Sequence, residues 1–94
     1  MKRELMYLHI GNGVNVKKKE IIGIFDMDTA TVSHSTRAFL NAMEKKKSVF
    51  YTEMDIPRSF VLCDGDKKGE QKLYVSKISS VGLNARMNSD FSEE

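Results

Sequence analysis

Apolar and polar positions alternate from the first patterned stretch of the chain. Met6, Leu8 and Ile10 share one parity and Tyr7 and His9 the other, which predicts a half-buried strand. Gly11-Asn12-Gly13 follows, and these residue types accept the positive φ angles of a tight hairpin, so Val14 and Val16 return on a second strand. Beyond Lys17, Lys18, Lys19 and Glu20, the run Ile21-Ile22-Gly23-Ile24-Phe25 is apolar on both parities. Such a strand is expected to be central in its sheet or to lie at a subunit contact.

The period then changes. Val32, Thr36, Phe39, Leu40 and Met43 stand at offsets 0, 4, 7, 8 and 11, the inward stripe of an amphipathic helix, with His34, Arg37, Asn41 and Lys45 facing outward. Residues 26–31 before it are rich in helix-capping types, and Lys45, Lys46 and Lys47 fall where cations meet the negative end of the helix dipole. Strands are predicted over 48–52, 60–63 and 73–78, the last two joined by the polar loop 64–69. Pro57 precludes ladder pairing at its own position. Ser79 can cap a short final helix, with Ile78 and Leu83 as a hydrophobic staple. The pattern is that of an α+β domain: a small twisted antiparallel sheet carrying one main helix and a short C-terminal helix.

With 94 residues the chain makes one domain. The expected boundaries are 1–87 for the domain and 88–94 for a disordered acidic tail, with a frayed lead-in over residues 1–5. A composition of 40% hydrophobic and 30% charged residues is that of a globular protein, and no apolar run approaches the roughly 20 residues of a membrane-spanning helix. No apolar signal segment follows Lys2 and Arg3, and the single Cys63 has no intrachain disulfide partner, so a reducing, cytoplasmic setting is expected. Cys63 itself reads as a core residue. Net charge is +2, but with the tail acids Asp90, Glu93 and Glu94 set aside, 15 basic residues face 10 acidic ones, leaving +5 on the body. That balance is compatible with a polyanionic partner.

Three segments invite a catalytic or metal reading. The apolar strand ending in Asp26-Met27-Asp28-Thr29 superficially resembles the first motif of haloacid-dehalogenase-type phosphatases. Such enzymes need a parallel α/β sheet delivering a lysine and further carboxylates, so Asp26 and Asp28 are expected to cap a helix instead. Residues 64–69 begin like a calcium loop, but Val75 occupies the twelfth position, where calcium needs a bidentate Glu. His9 and His34 have no metal-ligand spacing with each other or with Cys63. No catalytic residue, metal or cofactor is expected, and the chain is read as a non-enzyme.

Taken together, Met6-Tyr7-Leu8-His9-Ile10-Gly11-Asn12-Gly13, Ile21-Ile22-Gly23-Ile24-Phe25-Asp26, Ile56-Pro57-Arg58-Ser59-Phe60-Val61-Leu62 and Ile78-Ser79-Ser80 before Leu83 and Arg86 resemble the RemA/RemB family of extracellular-matrix (biofilm) regulators. The resemblance runs from about Met6 to Arg86. It implies a cytoplasmic transcriptional regulator of matrix genes, with a LytTR-like α+β fold, that assembles into a ring and binds DNA. Arg58 matches a basic position of the family, whereas Glu20, Asp55 and Ile56 stand where RemA-like sequences carry arginines.

On this basis Lys17, Lys18, Lys19 and Arg58, with Arg37 behind them, are the candidate phosphate-binding residues. Ile21, Gly23 and Phe25 are the candidate oligomer interface, since one helix covers one sheet face and a partner subunit would cover the other. The expected partners are DNA and further copies of the chain. The alternative is a protein-interaction module that pairs with a RemA-like paralogue without touching DNA.

Overall fold

The computed structural model describes residues 6–88, so the expectations for 1–5 and 89–94 lie outside the described residues. Strands β1 (Tyr7–Gly11) and β2 (Val14–Lys17) form an antiparallel hairpin. Its turn has positive φ at Gly11 (116°), Asn12 (50°) and Gly13 (77°), as the Gly-Asn-Gly sequence allows. Met6, expected on the inward face, precedes β1 and is exposed.

A separate four-stranded sheet has the order β3 (Ile21–Asp26), β5 (Ser59–Asp64), β6 (Gln71–Ser76), β4 (Val49–Tyr51). Helix α1 (Met27–Ala30) and the main helix α2 (His34–Lys45) connect β3 to β4, and α3 (Ser80–Met87) follows β6. The fold is α+β, with a main helix and a short C-terminal helix. β3, β5 and β6 pair antiparallel, but β4 lies parallel to β6, so the sheet is mixed. The reason is the path of α2. At about 1.5 Å per residue its 12 residues return the chain to the end where β3 began, and β4 then sets out in the same direction as β3. β6 starts from that end too. We call it the entry end, and the end where β3, β4 and β6 finish the exit end.

Both faces of the sheet are covered within one chain. Leu8, Ile10 and Val16 of the hairpin and Leu83 of α3 pack on Val61 and Cys63, joined by Ile21, Ile24, Tyr74 and Ile78. On the opposite face Met43, Phe39 and Leu40 of α2 pack on Phe60, Leu73 and Val75. The hairpin and α3 thus take the face that the sequence reading assigned to a possible partner subunit. The double apolarity of β3 follows from this sandwich, with Ile24 beside Val61 on one face and Phe25 stacked on Phe60 at 5.1 Å on the other. Nor is β3 central: among the described residues it pairs only with β5 and forms a sheet edge.

Local sequence sets the helix starts. Asp26 accepts a hydrogen bond from the Asp28 N–H at 3.2 Å and caps α1, the role expected of it, whereas Asp28, expected to cap as well, lies inside the first turn of α1. Ser33 accepts from Thr36 N–H and starts α2, leaving Val32 in the preceding turn and 76% exposed, outside the stripe where periodicity put it. Ser79 accepts from Gly82 N–H at 3.1 Å and starts α3, with Ile78 and Leu83 in one cluster.

Candidate nucleic-acid interface

The topology collects lysines that are scattered in sequence. Lys17 ends β2, Lys18 and Lys19 form the short 3₁₀ turn Lys18–Glu20, and Ile21 then opens β3 opposite Cys63. Lys45 ends α2, Lys46 caps it, and Lys47 turns the chain with a φ of 58°. Ser48 accepts the Leu73 N–H and Val49 opens β4. Lys67 and Lys68 lie in the β5–β6 loop, whose flanks Asp64 and Gln71 stand opposite each other. Lys46 shares an open cleft of about 640 Å³ with Ser48, Gly69, Glu70 and Gln71, which places the end of α2 beside that loop. All three lysine runs therefore converge on the entry end.

With Lys72, this end carries nine lysines against five acids: Glu20, Glu44, Asp64, Asp66 and Glu70. The excess of four positive charges on one end of a small domain is a field that attracts a polyanion. Asp66 offsets part of it by pairing with Lys72 at 3.5 Å. Lys72 has its pKa raised: burial works against the charge, but Tyr74, Asp66 and Glu20 outweigh it.

The expected phosphate-binding residues do not form one group. Lys17 and Lys19 are exposed at the entry end, whereas Lys18 is half-buried there. Its Nζ donates to the carbonyls of Met87 at 3.2 Å and Arg86 at 3.4 Å, the last turn of α3, where a cation offsets the helix dipole. Arg86 in turn donates to the His9 carbonyl at 2.9 Å, tying α3 to β1.

Arg58 and Arg37 sit at the exit end. The Arg58 carbonyl accepts from Met27 N–H, while Arg37 Nη1 donates to the carbonyls of Thr31 at 2.6 Å and Val32 at 3.0 Å. The length of β3, roughly 17 Å at 3.3 Å per residue, separates these arginines from Lys17 and Lys19. The exit end also carries Asp26, Asp28, Glu53 and Asp55, the last two clamped by Lys77 at 3.3 and 3.7 Å. The two groups thus stand at opposite ends of β3 and do not form one cluster.

Lysines 45–47, 67 and 68 were not singled out by sequence, because one run suits a helix terminus and the other a polar hairpin. A signal does exist: each of the three lysine runs stands just before a strand, and strands that start together put their leading residues together.

Of the candidate oligomer residues, Ile21 is half-buried against the hairpin core. Phe25 folds over Gly23, where a Cβ would lie 2.7 Å from the Phe25 ring. Beside them an open cleft of about 340 Å³ is lined by Phe25, Ala30, Ser35, Thr36, Phe39, Phe60 and Leu62.

Cys63 is fully buried and its thiol is pushed up to about 11, chiefly by burial, with the Lys72 charge acting the other way. It is a core residue and a poor nucleophile. His9 Nδ1 lies 3.2 Å from Asn15 Oδ1 on the hairpin surface. Among the described residues no three His, Cys, Asp or Glu side chains converge as a metal site, and no helix is long and apolar enough to cross a membrane. No protein-family model matches the chain, and no curated protein matches it.

Proposed function

We propose that the chain is a DNA-binding or DNA-organising regulator that engages the phosphate backbone through its lysine-rich entry end. The observation that carries this is the convergence of residues 17–19, 45–47 and 67–68 on one end of the sheet. Lysine Nζ groups on short links contact phosphate as point charges without reading bases, so affinity is salt-dependent and nearly sequence-neutral. The resemblance to the RemA/RemB family supports a cytoplasmic regulator of matrix genes acting as a ring-like oligomer, in which avidity multiplies weak contacts. The contact residues differ from those the resemblance suggested. Lys17 and Lys19 stay in the site, lysines 45–47, 67 and 68 join it, Lys18 serves α3, and Arg37 and Arg58 lie at the other end.

The test is a mobility shift with promoter DNA across a salt series. Four phosphate contacts would give a log–log salt slope near −4, by roughly −0.9 per contact. Lys46→Glu with Lys67→Glu should flatten the slope by about 2 and weaken binding at low salt. Arg37→Gln with Arg58→Gln should leave both nearly unchanged. Retardation unaffected by the lysine reversals would sink the proposal.

A second reading is a module that pairs with a RemA-like paralogue and touches no DNA. The exit end favours it: Met54 and Ile56 are exposed apolar side chains on a loop held by Lys77, beside Arg58. Absence of retardation at low salt, together with capture of a RemA-like protein that Ile56→Asp abolishes, would select this reading.

A further inference from the structure

The two edges of the four-stranded sheet differ. β4 is three residues long, and a short edge offers little to pair with. β3 is six residues long and contains no Lys, Arg or Pro. Its protective features are the charge of Asp26 at its last position and a bulge at Ile22, where the register slips between Ile21 opposite Cys63 and Gly23 opposite Leu62. From Gly23 to Asp26 the ladder is regular, and among the described residues no strand pairs with its outer side. Ile22 and Phe25 are 50% and 39% exposed along this edge, and the cleft lined by Phe25, Phe39 and Phe60 opens beside it. An unpaired backbone edge next to an apolar cleft is the arrangement on which a further strand adds.

The flanking charges identify that strand. Lys17 and Lys19 stand before β3, with Glu20 next to the strand, and Asp26 and Asp28 at its end, so the edge is net basic where it starts and acidic where it finishes. A second β3 laid antiparallel brings the basic flank of each copy beside the acidic flank of the other, whereas parallel pairing sets lysines against lysines. We propose that β3 is an isologous docking edge, at which two copies of this chain pair their β3 strands antiparallel about a two-fold axis. Such an axis stands perpendicular to the sheet, so the two Phe25-lined clefts lie on the same face of the joined eight-stranded sheet and meet across the seam. Ile22 of each copy is covered there. The pairing rests on the self-association in the reading above and supplies one two-fold contact of it, independently of DNA; a ring of such dimers needs a second interface. Lysines 45–47, 67 and 68 lie away from β3 and stay open to phosphate.

Sedimentation of the full chain over a concentration series tests this, with amide hydrogen exchange at low and high concentration. The expected result is a reversible dimer in which amides within 21–26 gain protection with concentration while those within 49–51 do not. Ile22→Lys, which puts a charge on the seam, should weaken dimerisation about tenfold or more, and Val81→Lys, at an exposed site on α3, should not. Lys19→Glu should weaken the dimer, and adding Asp28→Lys should restore it, which separates lost pairing from lost folding. A chain that stays monomeric at the highest soluble concentration, or associates without protecting β3, overturns the proposal. A dimer that fails to retard DNA would retain the docking edge and remove the DNA reading; retardation by a strict monomer would do the reverse.

Discussion

Cys63 and Lys18 show how little the type of a residue says about its role until its neighbours are known. The Cys63 thiol has no solvent exposure, and burial raises its pKa from the ordinary 9.0 to about 11. In the folded protein it should resist thiol reagents at pH 8 and react only on unfolding, which a timed dithionitrobenzoate assay with and without denaturant checks. The sign of the pH effect follows. Between pH 9 and about 11 the unfolded chain gives up this proton and the folded chain keeps it, so the contribution of Cys63 to stability is full below that window and is lost as pH rises through it. Lys18 looks equivalent to Lys17 and Lys19 in sequence, yet it alone caps α3. Lys18→Met keeps the apolar stem and removes the cation, and should cost about 0.5–1 kcal/mol in urea unfolding. Lys17→Met and Lys19→Met, at exposed positions, should stay within about 0.5 kcal/mol of the parent while weakening DNA retardation.

At the scale of elements, hydroxyl and carboxylate caps place the helices. Ser33, Ser79 and Asp26 each accept the hydrogen bond that an N-terminal turn leaves open. The cap of α3 matters most for the whole, because α3 seals one face of the sheet and its last turn holds Lys18. Ser79→Ala should lower stability by about 1 kcal/mol and increase hydrogen exchange through 80–87, measured by mass spectrometry. The hairpin, the stripe of α2, the Ser79-capped α3 and the β5–β6 pair are legible in the sequence because each rests on contacts between near neighbours, whereas the short α1 and the Ser33 cap are not. The parallel entry of β4 was not, because it depends on where α2 sets the chain down. Val32 was misplaced for a local reason: its spacing fits the stripe, but the Ser33 cap starts the helix after it.

Across the whole molecule, topology gives the domain two unlike ends. β3, β4 and β6 run the same way, so the segments that lead into them gather at the entry end, and each of those segments carries a lysine run, beside Glu20 before β3 and Glu70 before β6. Arg37 is grouped with those lysines by charge and Arg58 by its match to a basic position of the resembled family, and the length of a strand separates both from them. Lysine reversals at the entry end and arginine changes at the exit end should thus differ in salt slope as well as in affinity, the comparison set out above. Among the described residues the sheet is covered on both faces and unpaired at its β3 edge, so a contact between copies there is edge to edge.

The sequence by itself determined the class of fold, the hairpin, the main and C-terminal helices, the Ser79 cap and most of the core, because periodicity and capping act over a few residues and carry their own physical reason. Tertiary structure alone decided that β3 is an edge, that the hairpin and α3 cover the second face, and that three separate lysine runs make one surface. Those outcomes depend on strand order and direction, set by long-range packing of Phe60, Val61, Leu73 and Val75 between two layers, and no local pattern encodes them.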